Sequence, residues 1–193
     1  MKLAELGRIL EGKYVYLRDV KEEDLPEIIR IRTNPELSRF IHPINPELEF
    51  QKAWLKNQKA REGDYYFSIV RKTSEKLIGT CAIYNITANG AECETGRLVS
   101  EGNSFENLEA LKLLYDYAFT ILKFERIHAY VVEENKKVLN LHKRLGYEFV
   151  ERLEKGKYSE VFNVIHFVLD SNKYNTFTRP SIEKLLYRGE VDV

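Results

Sequence analysis

Several things are scarce in this chain, and each scarcity closes off a class of protein. Of 193 residues only two are cysteine, Cys81 and Cys93. That is too few for a disulfide framework, and small packing thiols in a reducing compartment are the better reading. No apolar run approaches the roughly 20 residues of a membrane span. The start, Met1-Lys2-Leu3-Ala4-Glu5, puts an acid where a signal peptide needs an apolar stretch. A cytoplasmic protein is therefore expected. Charge of one sign is missing too, because 30 basic and 30 acidic side chains cancel. No overall field draws the chain to nucleic acid or to an acidic membrane, and neither is expected as a partner. The chain holds no close Cys/His cluster, so no metal is expected.

What is present describes an ordinary globular protein: 44% hydrophobic residues, 31% charged and twelve tyrosines, enough for one well-buried core. A single domain over residues 1–170 is expected, followed by a tail, 171–193, with helix potential only near residues 182–187.

Residues 14–18 alternate in a β-rich pattern, and Lys21-Glu22-Glu23-Asp24 supplies acids to the first turn of a helix predicted to reach Arg32. Asn34-Pro35, Pro43 and Pro46 break the chain around Arg39-Phe40-Ile41-His42, a plausible substrate loop, before a second helix over 47–61. Strands at 65–71, 77–84 and 91–99 read as an antiparallel meander. From Phe105 the apolar period lengthens to about 3.6, with Leu108, Leu111, Leu114, Tyr115, Ala118, Phe119 and Leu122 on one stripe. A strand at 126–132 then suits a parallel placement, and a helix at 136–145 is closed by Gly146. The last strands, 148–153 and 160–169, take Glu154-Lys155-Gly156-Lys157 as their turn.

This order resembles the GCN5-related N-acetyltransferase (GNAT) superfamily, and local sequence agrees. The run Asn135-Lys136-Lys137-Val138-Leu139-Asn140-Leu141-His142-Lys143-Arg144-Leu145-Gly146-Tyr147 resembles that superfamily's second cofactor segment. Gly96-Arg97-Leu98-Val99 and the helix from Glu109 to Phe119 are similar to its ribosomal-protein and amino-sugar acetyltransferase branch. The resemblance covers roughly residues 13–170. It implies an α+β, three-layer fold: a mixed, mostly antiparallel sheet of about seven strands with helices on both faces. It further implies an enzyme carrying an acetyl group from acetyl-CoA directly to a primary amine, with a nucleotide-linked amino sugar as the favoured acceptor. One departure matters. The superfamily's Arg/Gln-x-x-Gly-x-Gly/Ala loop presents backbone N–H groups to a pyrophosphate, whereas Ser100-Glu101-Gly102-Asn103-Ser104-Phe105-Glu106-Asn107-Leu108 has a single glycine and two acids.

Acetyl transfer needs a neutral amine, a donor for the developing oxyanion and an outlet for the thiolate. Strand alternation puts Glu92 and Glu94 on one face, two acids able to draw an ammonium and accept its proton directly or through water. His142 stands where many family members have the Tyr thought to protonate the thiolate, and it could serve as acid, base or water-orienting group. The resemblance assigns cofactor contacts to Arg97, Leu98, Val99, Asn103, Ser104, Asn107, Asn135, Asn140 and Lys143. Asn135 is equally a helix N-cap. Lys136, Lys137 and Arg144 are further candidates for the cofactor's 3′-phosphate. Arg39, His42 and Tyr65 are candidates for the acceptor pocket, and Arg30, Arg32 and Arg39 for a sugar nucleotide's diphosphate. His128 and His166 read as packed residues. Other readings stay open: an acetyltransferase for a protein N-terminus, a polyamine or an antibiotic, or a non-catalytic GNAT-like binding domain. A homodimer is compatible with any of them.

Overall fold

The structure, a computed structural model, describes residues 10–188, so the reading of the acidic start, residues 1–5, lies outside the described residues. The strands are β1 Leu10–Glu11, β2 Val15–Asp19, β3 Tyr65–Arg71, β4 Lys76–Tyr84, β5 Glu92–Ser100, β6 Arg126–Val132, β7 Glu148–Leu153 and β8 Val164–Asp170. Their hydrogen-bonded order is β1-β2-β3-β4-β5-β6-β8-β7. The sheet is mixed and mostly antiparallel, with β5 and β6 parallel. Among the described residues it has eight strands where about seven were expected, because a two-residue strand such as β1 is too short to leave a periodic signal.

The chain forms two compact units, the first comprising Met1–Asn85 with Gly96–Tyr117 and the second Ile86–Thr95 with Ala118–Val193. The first unit holds β1 to β4, the second half of β5, and three helices: α1 Leu25–Arg32, α2 Leu48–Ala60 and α3 Ser104–Asp116. Leu25, Ile28 and Ile31 recur every three residues along α1, so one stripe enters the core with Leu55, Tyr66 and Val99. Pro26 opens that helix without loss, since a first-turn N–H has no intrahelical partner. Two acids of α3, Glu106 and Glu109, are buried with its apolar stripe. Glu109 is fully buried, and its carboxylate accepts the N–H groups of Lys13, Tyr14 and Val15 at 2.8, 2.6 and 2.9 Å. A Cβ on Gly12 would lie 2.3 Å from that carboxyl carbon, so only glycine fits there.

The second unit holds the first half of β5, then β6, α4 Lys136–Arg144, β7, β8, and the C-terminal helices. Two expectations change here. β8 begins at Val164, and residues 154–163 form a loop longer than a four-residue turn, tied by Gly156 N–H to the Ser159 carbonyl and Lys155 N–H to Asn163 Oδ1. The tail is helical well before residue 182: a turn at Ser171–Lys173, a π-helical turn at Tyr174–Thr178 and α5 Arg179–Leu186. Tyr174, Thr178, Ile182 and Leu186 are buried from it, and Thr178 Oγ donates to the Leu145 carbonyl at 2.6 Å. Asn172, Asn175 and Thr176 interrupt the stripe in sequence, which hides it. Among the described residues no helix is long and apolar enough to cross a membrane, and no His/Cys/Asp/Glu group is arranged to hold a metal. Both cysteines are free and buried.

Candidate active site

In the second unit the parallel register pairs Glu92 with Arg126 and Glu94 with His128, while β8 brings His166 opposite Tyr130. These pairings separate the two acids. Glu92 accepts from Arg126 Nη1 at 2.8 Å and binds His128 Nε2 at 2.7 Å. The His128 ring and the Arg126 guanidinium hold its carboxyl below the usual carboxylate range, so it is a weak proton acceptor. Glu94 is 5% exposed and accepts a hydrogen bond from the Tyr158 hydroxyl. Tyr130 stacks on Tyr158 at 4.0 Å and on His166 at 4.4 Å between centroids. His128 Nδ1 lies 2.9 Å from His166 Nε2. With the Glu92 carboxylate taking the Nε2 proton of His128, the Nδ1 lone pair accepts from His166. Burial, and then the neighbouring His128, lower the His166 pKa. The packed histidines expected at 128 and 166 are thus the floor on which the Glu94–Tyr158 pair stands.

His142 is buried on α4, with ring centroids 4.5 Å from Tyr147 and 5.7 Å from Phe167. Its Nδ1 is 2.9 Å from the Val138 carbonyl. A carbonyl only accepts, so Nδ1 carries the hydrogen and Nε2 the lone pair. Burial lowers its pKa, which keeps it neutral at pH 7. Such a ring can accept a proton or orient a water at Nε2; it has no proton there to give. Asn135 caps α4, its side chain accepting the Val138 N–H at 3.3 Å. Asn140 and Lys143 are exposed on that helix.

In the first unit Arg97 adopts φ +50°, a left-handed turn of the backbone that interrupts the alternation of β5. Gly96 precedes it, and a Cβ there would meet the Tyr84 hydroxyl at 2.3 Å and push that ring aside. The Arg97 guanidinium grips Asp64 through two bonds of 2.6 and 3.0 Å and lies 4.4 Å from the Tyr84 ring centre. Its side chain is therefore committed to protein partners, and the strand's offer to a ligand is the backbone at Leu98, exposed, and Val99, buried.

The segment before α3 is closed on itself. Glu101 N–H goes to the Ile78 carbonyl, Gly102 N–H to Ser100 Oγ, and Asn103 N–H to the Glu106 carboxylate. Asn103 Oδ1 accepts from Phe105 and Glu106 in a capping box. Asn107 gives Nδ2 to the Gly102 carbonyl, while its buried Oδ1 has no partner. The acids are neutralised as well: Glu101 by Lys76 and Arg30, Glu106 by Arg71, each held below the carboxylate range by those partners. The N–H groups of Glu101, Gly102, Asn103, Phe105 and Glu106 are thus already bonded within the protein, and an anion would have to displace the Asn103 and Glu106 side chains to reach the last three. Ser104 is exposed at the first turn of α3.

Of the acceptor candidates, Arg39 and His42 are exposed, whereas Tyr65 is buried with its ring edge-on to Tyr117 at 5.7 Å. Tyr158 and Tyr130 escaped the sequence reading. Tyr158 falls in a stretch without periodicity, and no spacing rule connects it to Glu94, 64 residues away.

Comparison with known proteins bears on the family and the fold. Residues 15–148 match the profile of the acetyltransferase (GNAT) domain. The N-acetyltransferase p20 of Bacillus licheniformis, itself uncharacterised, is 28% identical over 169 residues, covering 82% of this chain and 93% of that one. Apo FdhC, a nucleotide-linked sugar GNAT, superposes with a TM-score of 0.77 at 26% identity, covering 94% and 97% of the two chains. The spermidine N-acetyltransferase of Vibrio cholerae, solved with CoA and spermine, shares the fold at a TM-score of 0.75 and 19% identity, over 86% and 100%.

Proposed function

Because the chain belongs to the GNAT acetyltransferase family and is an N-acetyltransferase, we propose that it carries the acetyl group of acetyl-CoA directly to the primary amine of a nucleotide-linked amino sugar, in the cytoplasm. Glu94 is the proton acceptor in this proposal. The neutral amine nitrogen bonds to the thioester carbonyl carbon, the C–S bond breaks with its electron pair leaving on sulfur as the CoA thiolate, and the surplus proton on nitrogen passes to Glu94 directly or through a water. The observation that carries this role is a buried carboxylate that accepts the Tyr158 hydroxyl, beside a second acid already spent on Arg126 and His128.

The backbone of Leu98 and Val99 is proposed for the pantetheine arm, as the resemblance implies. Asn140 and Lys143 are proposed for its phosphate end. His142, neutral and protonated on Nδ1, is proposed to orient water or accept a proton at Nε2. The sugar-nucleotide acceptor is supported by FdhC, the more similar of the two solved proteins compared here.

Thiol release from acetyl-CoA, measured against amino-sugar nucleotides, polyamines and peptides, tests the proposal. Turnover with an amino-sugar nucleotide at least about tenfold above any polyamine or peptide is expected, a margin that matched polar groups supply readily. Turnover confined to polyamines or peptides contradicts it.

A further inference from the structure

Three arginines that could meet an acidic acceptor end in different states. Arg30 gives Nε and Nη2 to Glu27, each at 2.8 Å, and Nη2 to Glu101 at 2.6 Å. Arg39 is exposed, 5.2 Å from the ring centre of Phe40. Arg32, at the end of α1, differs from both. Its Nη2 donates to the His42 carbonyl at 2.9 Å, its Nε is buried without a partner, and among the described residues no carboxylate lies within ion-pair distance of it. Burial lowers its pKa, the Arg97 guanidinium adds to that, and the Tyr66 hydroxyl partly offsets it. The Asp64 carboxylate is already taken by the Arg97 guanidinium.

A half-buried guanidinium with no counter-charge and an unpartnered Nε costs the fold some stability. The same guanidinium presents a flat Nε–Nη edge, the donor pair that grips two oxygens of one phosphate. A ligand phosphate would satisfy the orphan Nε, replace the His42 carbonyl and neutralise the charge in one step. A polyamine would be repelled. We infer that Arg32 is the anchor for the acceptor's diphosphate, the group through which a nucleoside is joined to the amino sugar. The inference rests on the acceptor class proposed above and assigns it a residue.

The test is calorimetry on the full-length protein with thymidine diphosphate as probe and thymidine as control, in saturating CoA so that the acyl-donor site is closed. Wild type should bind the diphosphate at least about tenfold more tightly than thymidine, as charge-assisted hydrogen bonds of this kind provide. Arg32→Gln should lose that margin while keeping its CoA affinity and a melting temperature equal to or above wild type, since a destabilising charge is gone. Arg32→Lys, which keeps the charge but lacks the fork, should fall between and remains informative if the glutamine variant folds poorly. Equal diphosphate binding by wild type and Arg32→Gln overturns the inference, as does a wild type that binds thymidine diphosphate no better than thymidine. If acetyl-CoA binds and the diphosphate does not, this inference falls and the acetyl-transfer reading stands. Arg32-dependent diphosphate binding without acetyl-CoA binding is the reverse.

Discussion

Single side chains decide which of two acids does the chemistry. Glu92 and Glu94 share a strand face in sequence, and nothing in the alternation separates them; the difference comes from Arg126 and His128, which reach Glu92 across the ladder, and from Tyr158, which reaches Glu94 from a loop. Replacing Glu94 by Gln should lower kcat by about a hundredfold or more, the usual share of a general base, while Glu92→Gln should leave kcat within a few-fold. Steady-state rates of the two variants at pH 8 would check this, and equal losses would show that neither acid is special. Tyr158→Phe should lower kcat about tenfold, the worth of one hydrogen bond to a charged group, with the KM for acetyl-CoA unchanged. A loss confined to KM would move Tyr158 out of the proton path. His142 was legible from its place in the Asn135–Tyr147 run; its tautomer was not, because the Val138 carbonyl that fixes it is a matter of helix geometry and not of sequence.

At the scale of elements, the long periodic pieces were legible and the irregular ones were not. Helices at 25–32, 48–60, 104–116 and 136–144 fall where first-turn acids, proline breaks, the 3.6-residue stripe from Phe105 and the closing Gly146 placed them. The tail was missed because its buried residues pass through a π-helical turn, which shifts the period and leaves polar residues between them. Simple alternation runs straight through β5, and the left-handed residue Arg97 in mid-strand breaks it. The entrance to α3 shows how a glycine-poor loop closes: Asn103 and Glu106 do for one another what a ligand's oxygens would otherwise do. Asn103→Ala should therefore destabilise the protein by about 1 kcal/mol, the loss of an N-cap, without weakening acetyl-CoA binding. Chemical denaturation and calorimetry read the two effects separately. Weaker cofactor binding at unchanged stability would return Asn103 to the cofactor.

For the molecule as a whole, the balanced charge and the two buried histidines set its response to acid. His142 and His166 have pKa values lowered from 6.5, chiefly by burial. The unfolded chain therefore binds protons that the folded chain refuses. Stability should be flat above about pH 7.5 and fall as pH drops through about 6.5 toward the folded values. Urea midpoints from pH 8 to 5 should show that slope, and His142→Phe should reduce it. An unchanged slope in that variant would mean that His142 titrates normally. The family, the sheet and the enzyme class were readable from pattern and motif, because family resemblance resides in long packed elements. The acceptor was not, because it is recognised by a few side chains on loops and helix ends, such as Arg32, whose lack of a counter-charge shows only once the chain is folded. The most direct measurement is mass analysis of a nucleotide-linked amino sugar after incubation with the protein and acetyl-CoA. The gain of one acetyl group on the sugar's nitrogen, abolished in Glu94→Gln, is the result this account predicts; an unmodified sugar nucleotide beside an acetylated polyamine or peptide would contradict it.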